Sequence, residues 1–142
     1  MNRQEFETIR DLPDKVITAD IEFMPSKGIS TSLVFRGIQV ENSLGYQIEL
    51  IGYYKPAIPA LVFNFVVEGV GPICRLCVNN TAHGNEGRTH KHSLKEETCP
   101  DDNLPFAVAR NEFDLSAQTV NDIWTKFCLE ANILHTGTLK EP

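Results

Sequence analysis

Three histidines and several basic residues crowd into the segment NNTAHGNEGRTHKHSLKEE, residues 79–97. His90 and His92 are two residues apart, so in an extended segment both imidazoles point to one side of the chain and Lys91 points away. Paired imidazoles suit phosphodiester chemistry, because near an ordinary pKa of about 6.5 one ring accepts a proton while the other donates one. Cleavage of RNA needs that division of labour, since the 2′-hydroxyl must lose a proton and the 5′-oxygen must gain one.

Candidate phosphate contacts surround this pair of histidines. Arg88 and Lys91 are cations that neutralise charge developing on a phosphate, and His83 is an auxiliary group. Gly84 and Gly87 allow backbone amides to approach an anion closely. The sequence therefore predicts a glycine-rich cationic loop that carries an acid–base pair, His90 and His92, and works without a metal or another cofactor.

A metal site is the alternative use of the same region. Cys74 and Cys77 form a C-x2-C pair, and twelve residues separate Cys77 from His90, as in C2H2 zinc fingers. The H-x-H pair is too short for the second half of a finger. Residues three apart in the strand ICRLCV face opposite sides of a sheet, which predicts one buried and one partly exposed thiol. A zinc site therefore stays an alternative to the metal-free interpretation. It would use some of six donors, Cys74, Cys77, His83, His90, His92 and Cys99, and the four-ligand set expected for it is Cys74, Cys77, His90 and His92.

Composition limits the class of protein. The chain has 142 residues, of which 42% are hydrophobic and 23% charged, which is typical of a single globular domain over residues 1–142. A net charge of −6 argues against a general nucleic-acid coat protein, because nonspecific affinity comes from cations. The longest apolar run, residues 59–67, is far shorter than the roughly 20 residues of a membrane helix, and the first residues are charged where a signal peptide is apolar. We therefore expect a cytoplasmic protein that does not enter a membrane.

The hydrophobic pattern predicts an α+β fold. Residues 2–11 form a short N-terminal helix that Pro13 stops. Runs of β-branched and aromatic residues then predict strands joined by connections too short for helices, so the strands are antiparallel and follow a meander. The expected result is a curved sheet or small open barrel of about five to six strands. The predicted strands span residues 16–24, 32–40, 46–54, 60–67 and 73–78.

A second helix is predicted near the end of the chain and should cover the sheet. Ser116 is its expected N-cap, and Leu115 and Val120 are placed for a hydrophobic staple. Beyond Leu134, residues 135–142 are expected to form a flexible tail, with His135 exposed. The residues at helical spacing on the apolar face are Val120, Ile123, Trp124, Phe127, Ala131 and Leu134.

The later half of the chain resembles the TumE-like toxins of bacterial toxin–antitoxin modules. The resemblance lies in VEGVGPICRLCVNN, HGNEGRTHKH, LPFAVARNEF and FCLEANI, within residues 67–133. It places a turn at Asn79 and Asn80, a G-x-x-H-x-H segment at 87–92 and a proline–aromatic element at 104–106. What it implies is a toxin-like ribonuclease that acts on RNA and is neutralised by an antitoxin protein.

A non-enzymatic function is the competing hypothesis. A small acidic chain without a complete catalytic signature suits an inhibitor or adaptor protein, for example one encoded by a phage, that covers a basic surface. Neutralising its acidic patch would then abolish binding, while substitution of the histidines would have little effect. The residues of that patch are Glu96, Glu97, Asp101 and Asp102.

Overall fold

The computed structural model of this protein describes residues 1–28, 31–82, 84–92 and 107–142. This part of the chain forms two helices and nine strands. The helices are α1 (Arg3–Asp11) and α2 (Val120–Glu130). The strands are β1 (Lys15–Ile17), β2 (Met24–Pro25), β3 (Leu33–Val40), β4 (Ile48–Lys55), β5 (Ala60–Val67), β6 (Gly71–Val78), β7 (His90–His92), β8 (Ala107–Ala109) and β9 (Ile133–His135).

Strands β2 to β8 form one open antiparallel sheet in chain order, and β1 pairs with β9 in parallel. The predicted α+β class and the meander are confirmed. The strand count exceeds the expected five to six because β2, β7 and β8 contain only two or three residues each, too few to give a periodic signal in the sequence.

The helices cover one face of the seven-stranded sheet, which we call the helix face. Phe127 of α2 stacks on Phe63 and Phe65 of β5, with ring centroids 5.8 and 5.6 Å apart. Phe6 and Ile9 of α1 belong to the same buried cluster, and α1 contacts β6. The predicted packing role of Phe127 is therefore confirmed, as it is for Trp124.

The opposite face, which we call the histidine face, is set by the alternation of side chains along β6 and β7. Arg75 and Cys77 of β6 lie across from His92 and His90 of β7, respectively. On the other side of β6, Arg75 lies across from Asn64 of β5. Because opposed residues of neighbouring antiparallel strands share a face, these polar groups form one continuous patch.

Helix α2 begins later than predicted. Its N-cap is Thr119, whose hydroxyl accepts a hydrogen bond from the backbone N–H of Asp122, and the Asp122 carboxylate accepts one from the N–H of Thr119. Ser116 instead donates to the carboxylate of Asp114 in the turn before the helix. The prediction of Ser116 as the cap is wrong because Thr119 and Asp122 form a complete capping box and Ser116 does not.

The C-terminal residues differ from the expected fraying tail. Leu134 lies in β9 and is 61% exposed, so it is not part of the α2 face. Leu139 is buried and bridges to Ile21, and the carboxylate of Glu141 accepts hydrogen bonds from the N–H groups of Val120 and Asn121. These last contacts satisfy donors at the start of α2, which a helix leaves open. The predicted strand over 16–24 is accordingly split, because its first part pairs with β9.

Lys15 is buried at the start of β1, with 3% of its surface exposed, and its ammonium donates to the carbonyl of Arg10. Burial lowers the pKa of Lys15 to about 8, with Cys74, Asp11 and Asp14 raising it and Arg10 lowering it as smaller influences. Between pH 8 and 10.5 the unfolded chain therefore binds a proton that the folded chain has lost. Stability contributed through Lys15 rises with pH across this window.

We expect the Lys15→Met variant to lack this increase of stability with pH. Relative to Lys15→Met, the free energy of unfolding of the wild type should increase by on the order of 3 kcal/mol from pH 7 to pH 10.5. Denaturant unfolding of both proteins across this range measures the difference, and the shared comparison cancels the titration of the cysteines. A difference that stays constant with pH would contradict the lowered pKa of Lys15.

In the part of the chain that the structure describes, no helix is both long and apolar enough to cross a membrane.

Candidate metal centre

Cys77, His90 and His92 meet on the histidine face of the sheet. One ligand-type atom from each residue lies within 4.8 Å of the others, and all three side chains are buried. Cys77 and His90 are opposed across β6 and β7, while His92 is two residues further along the same strand as His90. Strand pairing thus brings the thiol of Cys77 together with the imidazoles of His90 and His92, which follow it by thirteen and fifteen residues in the sequence.

The two imidazoles are side by side, with ring centroids 4.8 Å apart and an interplanar angle of 77°. Their common side was predicted from the spacing, but their burial was not. His90 is 0% and His92 1% exposed. Strand β7 lies inside the sheet, with β6 on one side and β8 on the other. At these two positions the segment is a buried strand.

His90 has a defined tautomer. Its Nδ1 lies 2.9 Å from the carbonyl oxygen of Gly87, and because a carbonyl only accepts, Nδ1 carries the hydrogen. The lone pair of the neutral ring is then on Nε2. Gly87 has a φ of +75°, a conformation that glycine adopts without a steric penalty, and this turn holds its carbonyl against the ring. A histidine oriented in this way through its other nitrogen is typical of metal ligands.

Arg75 contacts the other two members of the group. Its Nη2 lies 3.0 Å from Nε2 of His92, and because a guanidinium only donates, this nitrogen of His92 accepts. Burial raises the pKa of the Cys77 thiol, and the charge of Arg75 and its hydrogen bond to the sulfur partly offset that effect. A fixed cation therefore lies beside the Cys77 thiol and the His92 imidazole.

Two residues predicted for this region lie on the helix face instead. Cys74 is part of the hydrophobic core, so the four-ligand set that joined it to Cys77 and the histidines is not brought together. Its thiol is buried, as is that of Cys77, so the expectation of one partly exposed thiol is wrong. Lys91 pairs with Glu130 at 3.5 Å and lies over the Phe127 ring, away from the imidazoles.

The other predicted phosphate contacts do not join the group in the described residues. Arg88 is exposed and bonded to Asn79, through Nε to the side-chain oxygen at 3.1 Å and through Nη2 to the carbonyl at 3.2 Å. It stabilises the turn at Asn79, a non-glycine residue with a φ of +53°. The remaining sequence-predicted residues, namely His83, Cys99 and the acidic patch at Glu96, Glu97, Asp101 and Asp102, lie outside the described ranges.

Arg75 was not among the site residues predicted from the sequence. The available signal was its position two residues before Cys77, which puts both side chains on one face of a strand. Its proximity to His92 depends on the register between β6 and β7, which the intervening turn of residues 79–89 determines. That register is not readable from the spacing of the motif.

The donor set suits a borderline or soft transition-metal ion. Thiolate and imidazole ligands select Zn²⁺ or copper, whereas Mg²⁺ and Ca²⁺ prefer oxygen. Bonds of about 2.0–2.1 Å to nitrogen and 2.3 Å to sulfur place pairs of tetrahedral ligand atoms roughly 3.3–3.6 Å apart. The ligand-type atoms lie within 4.8 Å of one another, so some pairs must approach by up to roughly 1.5 Å to hold an ion.

A cavity of about 490 Å³ between α2 and β9 is a separate feature. Its histidine, His135, is fully engaged: Nδ1 accepts from Nε1 of Trp124 and Nε2 donates to the carbonyl of Ala19, both at 2.9 Å. The prediction of an exposed His135 near a frayed end is therefore wrong. Because both ring nitrogens serve the fold, this cavity does not offer the acid–base or ligand chemistry of the histidine face.

Comparison of the chain with protein-family models, curated proteins and solved structures finds no match. The resemblance to TumE-like toxins stays a prediction. The function must be inferred from the side chains that the fold brings together.

Proposed function

We propose that this protein binds a transition-metal ion, with Zn²⁺ as the expected ion, through Cys77, His90 and His92. The observation that carries the proposal is the meeting of one thiol and two imidazole donors within 4.8 Å, all of them buried. Thiolate and imidazole are also the ligand types that Zn²⁺ takes in proteins.

Three protein ligands leave one position of a tetrahedral ion for a further donor. In the described ranges, no fourth Cys, His, Asp or Glu joins the group. A fourth protein ligand would make the ion structural, whereas water or substrate in that position would give it Lewis-acid or hydrolytic chemistry.

Metal content is the direct test. The protein, purified without an affinity tag, should contain about one equivalent of zinc, and the apoprotein should bind one Co²⁺ with the absorption of a four-coordinate thiolate complex. The intensity of the thiolate-to-cobalt charge-transfer band reports the number of sulfur ligands, which should be one. A folded protein that retains no metal and gives no thiolate–cobalt absorption would rule out the proposal.

A metal-independent ribonuclease remains the second candidate. What favours it is the contact of three groups suited to phosphodiester cleavage: two adjacent imidazoles and the Arg75 guanidinium, 3.0 Å from His92. What opposes it is the burial of both rings, since a general base must come within hydrogen-bond reach of the substrate hydroxyl. RNA as substrate and an antitoxin as partner belong to this candidate.

Cleavage of RNA in the presence of a chelator distinguishes the two candidates. If the ribonuclease proposal holds, the wild type cleaves without metal, and His90→Ala or His92→Ala lowers the rate by about 10²- to 10⁴-fold. The fold of each variant is checked by circular dichroism. Full cleavage by a double variant that lacks both histidines would exclude them as the acid–base pair. If the wild type does not cleave RNA in the presence of the chelator, the metal-independent ribonuclease is excluded and metal binding stays as the proposal.

A further inference from the structure

We propose that Asn79 and Arg88 are positioning residues of the metal centre, because together they hold the turn that sets Cys77 against His90. This inference rests on the proposed metal centre and identifies residues outside the ligand set that fix its geometry. Both residues belong to the turn that joins β6 to β7. Asn79 follows Cys77 by two residues, and Arg88 precedes His90 by two, so a change in this turn reaches both ligands over a very short length of strand.

The side chain of Arg88 binds Asn79 in a paired contact that we call the clasp. Nε donates to the side-chain oxygen of Asn79 at 3.1 Å, and Nη2 donates to its backbone carbonyl at 3.2 Å. The N–H of Asn79 donates to the hydroxyl of Thr89 at 3.0 Å, and its side-chain amide donates to the carbonyl of Pro59 in the turn before β5. A slip of β7 against β6 by one residue would break several of these bonds at once, so the clasp specifies the register.

The clasp also fixes the peptide that orients His90. The carbonyl of Gly87 accepts a hydrogen bond from Nδ1 of His90 at 2.9 Å, and this carbonyl belongs to the peptide bond between Gly87 and Arg88. The next carbonyl, that of Arg88, accepts from the N–H of Asn80 at 2.8 Å. With the guanidinium held by Asn79 as well, the peptide that carries the Gly87 carbonyl is anchored. The lone pair of His90 therefore stays on Nε2, as in a ligand histidine oriented by an outer-shell partner.

The charge of Arg88 alone would affect metal binding in the opposite direction from the clasp. A guanidinium near a metal centre repels a divalent cation, so removal of the charge without any other consequence would strengthen zinc binding. Loss of an outer-shell partner instead typically weakens metal binding by about 10- to 100-fold. Arg88 is exposed, so its substitution does not open a cavity in the core. The sign of the change in affinity therefore distinguishes the two roles.

The test titrates Co²⁺ into the metal-free wild type and three variants, Arg88→Gln, Arg88→Lys and Asn79→Gly, and follows the thiolate–cobalt absorption. Each variant should bind Co²⁺ at least roughly tenfold more weakly than the wild type. Lysine keeps the charge without the paired donors of the guanidinium, and glycine accepts the φ of +53° at position 79 without a side chain. The matched control is Arg36→Gln, which removes an exposed arginine of β3 and should leave the Co²⁺ affinity unchanged.

The tautomer of His90 in the metal-free protein is the second measurement. The ¹⁵N chemical shifts of the ring, recorded at a pH at which imidazoles are neutral, should place the hydrogen on Nδ1 in the wild type and shift it toward Nε2 in the three variants. An unchanged or stronger Co²⁺ affinity in the variants, or weaker binding with an unchanged tautomer, would overturn the positioning role and leave the metal centre standing. A wild type without thiolate–cobalt absorption would overturn the metal centre, and the positioning role with it.

Discussion

Replacing Cys77 with serine is expected to weaken zinc binding by more than about 100-fold. Loss of an outer-shell partner alone typically weakens metal binding 10- to 100-fold, and Cys77 supplies the only sulfur of the proposed ligand set. The thiol is buried beside two imidazoles, so a serine hydroxyl at that position has neither the charge nor the softness that the ion prefers. Competition with a chromogenic chelator measures the affinity.

Cys74→Ser is the matched control for this prediction. Cys74 lies three residues earlier in β6, and its thiol is buried in the same way, but it packs into the helix face. In the absence of metal, Cys74→Ser should lose more stability than Cys77→Ser, because it buries a hydroxyl in the hydrophobic core, whereas Arg75 donates to the group at position 77. Only Cys77→Ser should lose zinc. Equal zinc affinity in the two variants would contradict the proposed ligand set.

The zinc affinity of the histidine variants should fall as it does in Cys77→Ser and not stay unchanged as in Cys74→Ser. His90→Ala and His92→Ala each remove one donor from the group, so each should abolish tight zinc binding. His92→Ala also removes an acceptor of Arg75, which His90→Ala does not. A metal affinity that survives either substitution would show that the donors come from elsewhere in the chain.

The sequence could predict which side chains of the site share a face of the sheet, because side chains alternate between the two faces along a strand. The spacing of His90 and His92 was enough to place both rings on one side, and the three-residue spacing of Cys74 and Cys77 was enough to separate them. Cross-strand neighbours were not predictable. The position of Cys77 opposite His90 depends on the length and conformation of the turn at residues 79–89, and a one-residue shift in register would point one set of side chains to the other face.

The same distinction between local and long-range information explains the fold. The helices and the central strands β3 to β6 have strong periodic patterns, and the sequence placed them within a few residues. The parallel pairing of β1 with β9 joins the two ends of the chain, and a three-residue strand carries no pattern of its own. This long-range contact is why the end of the chain is ordered against β1 and α2, where local propensity predicted fraying.

Truncation of Phe127 should cost the protein a large part of its stability. Its ring is 0% exposed, stacks on Phe63 and Phe65, and lies beneath the ammonium of Lys91 at 5.9 Å. Replacement of a buried phenylalanine by alanine leaves a cavity and typically costs about 3–5 kcal/mol. We expect Phe127→Ala to lower the free energy of unfolding by that amount in urea titrations. Leu129→Ala, on the same helix but at a position 76% exposed, should change it by less than about 0.5 kcal/mol.

The stabilisation of each variant by zinc distinguishes the packing role of Phe127 from metal binding at the site. Phe127 acts from the helix face, and the proposed ligands lie on the histidine face, so the folded Phe127→Ala protein should keep its metal affinity. A ligand that binds only the folded state adds a stability set by its concentration and dissociation constant. Saturating zinc should therefore stabilise Phe127→Ala by the same increment as the wild type, while Cys77→Ser gains nothing. An increment that falls with the truncation of Phe127 would instead show that α2 holds β7, through Lys91, in the geometry that the metal requires.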